Sequence, residues 1–463
     1  MFRYRQQNLG KSSLCRLRVA HRRICLSLGK FGKFGKFGKY LRIPLLFSLF
    51  LIASIACGQV GNDNILEVWA HAGQAAERQT IAAQVDRFNQ SQTDIKLALT
   101  FIPEGSYNSQ VQAAALANDL PDILEFDGPF VYNYVWQQNL MAIDEMISPE
   151  VRDDLLPSII QQGTYGDRFY SVGTFDSGLG LYGNRNQLEA AGVRIPRGNS
   201  DAWTVEEFSQ VLATLAEKDP DGQVLDLKLN YSGEWFTYGF APIVHSAGGS
   251  LLQVSGEKLQ ADGAINGPEA IAAMQQLQSW LENGYVDPNI DDAAFTSGRV
   301  ALSWVGHWAY SGYAEALADD LVLLPLPNFG TGSKTGQGSW NWGISSNCDR
   351  PEIAMQFLEF LLQPEEVLAM SNANGAVPAS KRAIAQSPLY REGGPLRLFS
   401  AQLLNGKTVP RPRTPGYAVV TAAFQQAFNN IRNGLDVKKA LNKAAITIDI
   451  DIEDNQGYPQ VSQ

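Results

Sequence analysis

The sequence predicts an α/β protein, and three observations carry that expectation. Strand-like and helix-like segments alternate from Ile65 to Phe126, with connections short enough for α/β units. Hydrophobic residues make up 45% of the 463 and charged residues 18%, the balance of a chain with a folded core. Of the only cysteines, Cys15, Cys25, Cys57 and Cys348, processing at Cys57 leaves the last two, and an acylated Cys57 leaves Cys348 without a partner in the chain, so stability rests on that core. Such a body should place helices on both faces of a mostly parallel sheet. Its length leaves room for two or three domains.

The N-terminus reads as a leader. Residues 1–50 contain twelve Lys or Arg and no Asp or Glu; residues 51–463 hold the other 25 basic and all 47 acidic residues, a formal charge of −22. Opposite charge on leader and body marks a targeting segment. The apolar run Ile43–Ala56 has the length of a signal-peptide core and is short for a membrane span, which needs roughly 20 apolar residues. It ends at Ala56-Cys57-Gly58, so residues 1–56 form the basic leader and signal peptide and residues 57–64 a polar tether. The small Ala56 fits a peptidase cleft, and Cys57 supplies the sulfur for a thioether-linked diacylglycerol. Two acyl chains hold a protein firmly at a membrane. The pattern resembles a bacterial lipoprotein signal, departing from it at Ser54, where Leu, Val or Ile is usual. An uncleaved N-terminal anchor is the other reading, and both put the body outside the cytoplasm. The repeated Phe31-Gly-Lys, Phe34-Gly-Lys and Phe37-Gly-Lys has no core-forming pattern; an overextended gene start and a lipid-surface contact both fit it.

The elements come in order along the chain. Ile65–Trp69 reads as an opening strand, and Gln74–Gln90 as a helix with Ile81, Val85 and Phe88 on one side. Asp94–Ile102 is a second strand, Tyr107–Ala117 a helix, and Pro121–Phe126 a third strand. A helix over Val131–Gln138 leads to strands at Tyr165–Ser171 and Leu179–Tyr182, then a short helix at Asn184–Ala191. Thr204 caps the next helix with Glu207 at the capping-box position, and Phe208, Val211, Leu212 and Leu215 supply its apolar face. Pro220–Gly239 reads as turn-rich and then aromatic. Helices come next at Pro268–Asn283 and Trp308–Ala318, with strands at Val300–Trp304 and Leu321–Leu326. Gly330–Gly338 is loop-like, Trp340–Ser346 a strand and Arg350–Leu362 a helix; Pro364 and Pro378 divide the chain between this helix and the last ones. Those last helices are Val419–Arg432 and Val437–Ala445, and Asp449–Gln463 is an acidic, then polar tail.

Along this order the chain resembles the bacterial extracellular solute-binding proteins of the maltose-binding-protein-like family. The resemblance spans Ile65–Ile450 and rests on several pieces in sequence. These are Glu67-Val-Trp-Ala-His71, Gly105-Ser-Tyr-Asn108, Pro121-Asp-Ile-Leu-Glu-Phe-Asp127, Leu181-Tyr-Gly-Asn184, Ala202-Trp-Thr-Val-Glu-Glu-Phe208 and Phe295-Thr-Ser-Gly-Arg-Val-Ala301. Val305-Gly-His-Trp308, Asn374-Gly-Ala-Val-Pro378 and Pro410–Tyr417 complete the set. The resemblance implies a two-lobe periplasmic-binding-protein-like fold (type II) with a central ligand cleft. Carried onto this chain, residues 65–172 and 331–384 form the first lobe, residues 173–330 and 385–450 the second, and 451–463 a polar tail. It also implies a monomer that closes on its ligand and docks on the transmembrane permease subunits of an ABC importer, with no cofactor.

A sugar presents C–H faces and a rim of hydroxyls, so its cleft needs flat aromatic surfaces beside hydrogen-bonding groups. Trp308 is the first stacking candidate, because the family places a cleft aromatic after a glycine; His307 departs from the small residue or Pro usual there. Asp127 follows a strand end, where α/β sheets bind ligands, and Glu125 and Asp176 are further acidic candidates. Trp69, His71 and Glu77 flank the end of the first strand, and Trp235, Trp340 and Trp342 offer surfaces from elsewhere. Arg411 and Arg413 could reach ligand or permease, or make surface ion pairs. The glycines of Gly330–Gly338 lack the phosphate-loop pattern. The four histidines, His21, His71, His245 and His307, are too scattered to suggest a metal site.

Two other readings remain open on the sequence. An extracellular glycoside hydrolase needs paired carboxylates, nominally Asp127 and Asp176, but their separation in sequence gives no sign that they face one bond. An anchored carbohydrate-sensing module without an importer fits the same residues. The acidic body argues against nucleic acid.

Overall fold

The computed structural model describes residues 64–256, 258–288 and 291–459; the expected leader and Cys57 lie outside them. The chain folds as two α/β lobes, each built on its own sheet. The first sheet runs in the spatial order Lys96–Ile102, Ile65–His71, Ile123–Asp127, Trp340–Ile344, Ser171–Gly173. The second is Leu321–Leu324, Leu179–Asn184, Leu302–Gly306, Leu225–Asp226.

The first sheet begins as the strand–helix alternation requires. Ile65–His71 pairs in parallel with Lys96–Ile102 and with Ile123–Asp127. The helix Ala75–Ser91 covers one face and buries Ile81, Val85 and Phe88. Leu66, Val68 and Ala70 point into that core, while Tyr107, Val111, Leu124 and Phe126 fill a second core on the opposite face. Both faces are therefore covered, as expected. The sheets are mixed and not mostly parallel. Trp340–Ile344 inserts antiparallel to Ile123–Asp127 and to Ser171–Gly173, and Leu302–Gly306 runs antiparallel to Leu179–Asn184. A strand returning from the other lobe is not tied to the helical crossover that forces a parallel neighbour, so its direction is free.

The second lobe gathers the helices Val205–Ala216, Glu234–Ser246, Pro268–Glu282, Tyr417–Arg432 and Val437–Asp454 around one core, in which Trp203, Trp280 and Trp304 are almost fully buried. The Thr204–Glu207 capping box forms as read. Several elements differ from expectation. The region before Gly239 is helical from Glu234 through Ser246, with Pro242 inside the helix. Its neighbours are almost all buried, so packing outweighs the poor helix propensity of Gly239 and Pro242. Pro364 divides two helices as read, but the one it opens, Pro364–Asn374, was not expected; at that first position its missing N–H has no partner to lose. Tyr165–Ser171 splits into a small hairpin, Thr164–Tyr165 with Arg168–Phe169, ahead of Ser171–Gly173. The final helix runs on to Asp454, into the segment read as tail, because Ile448 and Ile452 stay on the buried face.

Two short ladders form where the chain passes between the sheets. Phe175–Asp176 pairs with Val377–Pro378, and Thr335–Gln337, inside the segment read as a loop, pairs with Thr408–Pro410. No helix among the described residues is long and apolar enough to cross a membrane.

Candidate functional site

The C-terminal ends of three strands open onto one cleft of about 770 Å³. His71 ends the strand Ile65–His71, Asp127 ends Ile123–Asp127, and Trp308 lies just past Leu302–Gly306. That placement obeys the general rule that ligands sit beyond the carboxyl ends of strands in open α/β sheets.

Strand geometry sorts the candidates. Trp308, Asp127, His71, Glu77, Trp235 and Trp340 all line the cleft. Trp69, Glu125 and Trp342 do not, and each sits two residues inward from a lining residue. Two residues of strand are about 7 Å, one layer deeper in the sheet. Trp69 packs against the aromatic core, Glu125 lies beneath His71, and Trp342 meets Phe357 edge-on. Asp176 is fully buried where the chain crosses between sheets, accepting the N–H groups of Ser177 and Gly338. The sequence reading did not single out Tyr231, Tyr238, Glu234 or Glu104, which also line the cleft. Tyr238 and Glu234 lie on the helix it missed.

One wall is aromatic. Trp308 is half-buried, packing edge-on against Trp235 at 6.1 Å and near Tyr238 at 6.1 Å. Its ring folds back over Gly306: a Cβ there would lie 2.0 Å from Cζ3 of the indole. This is the physical reason for a glycine ahead of the aromatic. Gly306→Ala is therefore expected to swing the indole out of the cleft, seen as a changed tryptophan emission, and to weaken ligand binding roughly tenfold, about 1.4 kcal/mol. An unchanged spectrum and affinity would show that the ring does not depend on that contact. Opposite, the Trp340 indole stacks on the His71 imidazole at 3.6 Å and 5°.

The polar groups are tied into two networks. His71 Nδ1 lies 2.8 Å from Glu125 Oε2. Burial alone would lower the His71 pKa, but the adjacent Glu125 carboxylate outweighs it and holds the imidazole above its ordinary value. Glu77 accepts the Gln74 N–H at 2.9 Å and the Asn374 side-chain amide at 3.0 Å. In the second network the Arg411 guanidinium donates to both oxygens of Asp127 and, at 3.2 Å, to Glu234. Tyr238 and Tyr417 lie over that guanidinium at 5.4 and 5.9 Å, and the Tyr417 hydroxyl donates to Glu234. Burial, with Asp127 nearby, pushes the Glu234 carboxyl up to about 7. Arg411 thus joins a strand end of the first sheet to a helix of the second lobe. Arg413 lines a small neighbouring recess and not the cleft.

Gln74 reaches the Trp308 carbonyl at 3.5 Å, and, buried beneath, His307 Nδ1 lies 3.0 Å from the Asn374 carbonyl. Burial holds the His307 pKa down at about 4, so this imidazole is neutral and its Nδ1 donates to Asn374. Among the described residues no group of His, Cys, Asp and Glu could hold a metal ion.

Residues 83–393 match the family model described as bacterial extracellular solute-binding protein. An uncharacterized lipoprotein in the oleD 5′ region of Streptomyces antibioticus is 21% identical over 378 residues, 78% of this chain and 82% of that protein. The maltodextrin-binding protein MdxE of Bacillus subtilis is 22% identical over 307 residues, covering 64% of this chain and 70% of that protein. Among solved structures, the cyclic α-maltosyl-1,6-maltose binding protein of Arthrobacter globiformis superposes with a TM-score of 0.70 at 23% identity, over 84% of this chain and 99% of that one.

Proposed function

The chain belongs to the bacterial extracellular solute-binding protein family, and from that premise we propose that it captures a sugar, oligosaccharide or glycosylated polyol and delivers it to the permease of an ABC importer. The observation that carries this reading is the composition of the cleft. Its volume of about 770 Å³ falls within the range of small-molecule sites. It sets the flat rings of Trp308, Trp340 and Tyr231 beside carboxylates that accept hydroxyl hydrogen bonds. Trp308 and Trp340 supply stacking surfaces, Trp235 supports Trp308, and Glu77, His71 and Asp127 edge the site. Residues 65–172 with 331–384 act as one lobe and 173–330 with 385–450 as the other, closing on the ligand as a monomer. The maltodextrin-binding relative supports a carbohydrate ligand.

The chain binds without cleaving. Asp127 is held by Arg411 and Asp176 is sealed from the cleft, so these two carboxylates do not flank a scissile bond. A thermal-shift screen of the mature protein against a broad sugar panel tests the reading. Stabilisation by at least one sugar, with that sugar recovered intact by mass analysis, is the expected result. Sustained turnover, or no stabilisation by any sugar, would overturn it.

The body is held at the outer face of the cytoplasmic membrane by lipid on Cys57. Full-length protein should incorporate labelled acyl chains, and Cys57→Ser should not. Equal incorporation by both forms would remove the anchor.

A further inference from the structure

We propose that the ligand of this cleft carries a protonated amine, as an amino sugar does, and that Glu104 is the carboxylate that receives it. This rests on the carbohydrate-binding reading and goes beyond it in fixing the sign of the ligand's charge.

Four carboxylates, Glu77, Glu104, Asp127 and Glu234, line the cleft, against three basic side chains, His71, Arg411 and the neutral His307. All three are already committed to the protein, His307 to the Asn374 carbonyl. Arg411 is bound by Asp127 and Glu234, and His71 by the buried Glu125. Glu77 is held chiefly by neutral donors, the Gln74 N–H and the Asn374 amide, with His71 Nε2 only at 3.9 Å. Glu104 has no hydrogen bond or ion pair from any described side chain, although its charge is felt by His71, Glu77, Asp127 and Arg411. It is the first residue of the helix Glu104–Ala117, whose N-terminal dipole favours the ionised carboxylate, while partial burial beside the other cleft carboxylates raises its carboxyl above the ordinary value. The face that meets an incoming ligand is therefore negative.

The aromatic wall agrees with that sign. A cation is attracted to the faces of Trp and Tyr rings, and Trp308 and Tyr231 stand in the same cleft as Glu104. Walls of low dielectric focus the field of the carboxylates into the cavity. The charge of −22 on residues 51–463 also draws cations toward the molecule. A uronate or sugar phosphate would meet like charge on entry. A neutral sugar would hydrogen-bond to Glu104, and a protonated amine would add charge to that hydrogen bond.

Calorimetry at about pH 6, where a sugar amine is protonated, tests this with matched ligands. These are glucosamine disaccharides in α-1,4 and β-1,4 linkage, their N-acetyl forms, the glucose disaccharides of the same linkages, and a glucuronate-containing disaccharide. The amine form is expected to bind at least about tenfold more tightly than its neutral counterparts, more weakly as salt rises, and the glucuronate form not to bind. Glu104→Gln, which keeps a hydrogen-bonding oxygen and removes the charge, should lower the affinity for the amine roughly 10- to 100-fold and that for the neutral forms by a clearly smaller factor. Neutral sugars binding as well as amines would overturn the inference and leave the carbohydrate reading intact. An equal effect of Glu104→Gln on both would overturn the role of Glu104. Failure of every sugar to bind would overturn both readings together.

Discussion

Replacing Arg411 by methionine is expected to destabilise the folded protein by about 3–5 kcal/mol at neutral pH. Methionine keeps an unbranched apolar stem between the rings of Tyr238 and Tyr417, so little packing is lost. The change removes the cation that bridges Asp127 and Glu234, whose side chains are just 13% and 22% exposed. Two carboxylates would remain together without a counter-charge, the costliest way to break a buried pair. The effect must depend on pH, and proton uptake sets its sign. In the native protein Glu234 already sits near 7 against an ordinary 4.5. Between those values the folded state binds more protons than the unfolded one, so Glu234's contribution to stability falls as pH rises through that window. Without Arg411 the folded state holds these protons still more tightly. The deficit of the variant should therefore be largest above pH 7 and shrink toward pH 5. Urea unfolding of both proteins at pH 5 and pH 8 measures it; an equal deficit at the two pH values would show that the loss is one of packing.

The second large effect is on binding. Trp308→Ala should weaken any accepted sugar by about 2–3 kcal/mol, roughly 30- to 150-fold in Kd. Trp308 is half-buried, lines the cleft and packs at a steep angle against Trp235, so in the proposed function it is the ring available to stack on a sugar. The same truncation at Trp304, which is 1% exposed, would instead act on the fold, at about 3–5 kcal/mol. Calorimetry beside unliganded unfolding separates the two roles. A well-folded Trp308→Ala protein that binds as before would place the stacking surface elsewhere.

Local signals were legible in the sequence wherever local physics decides the outcome. Ile81, Val85 and Phe88 recur at helical spacing and are buried together, and Thr204 with Glu207 forms the capping box it spells. The helix Glu234–Ser246 was hidden because Gly239 and Pro242 suggest a break that burial overrides. The end of the last helix was hidden for a different reason. The run Ile446-Thr-Ile-Asp-Ile-Asp-Ile452 alternates like a strand, and only packing against the core of the second lobe settles its period. In the cleft, residues at strand ends could be named from position alone. The distinction between His71 and Trp69, or Asp127 and Glu125, needed the layer each occupies. Arg411 lies 284 residues from its main partner, and no local pattern marks that meeting.

The antiparallel strand in the middle of the first sheet also constrains how the molecule forms. Ile123 pairs with Ile344, so neighbours in space are more than 200 residues apart along the chain. As the chain emerges from its N-terminus, the first three parallel strands can associate, but one of them keeps an open edge until Trp340–Ile344 arrives. Long-range pairing of this kind folds slowly, because the entropy of closing so large a loop is lost before any contact offsets it. An exposed strand edge is meanwhile a template for pairing with another chain. The lobe that begins the sequence is thus completed late, and the interval before residue 340 appears is when the nascent protein is most prone to aggregate.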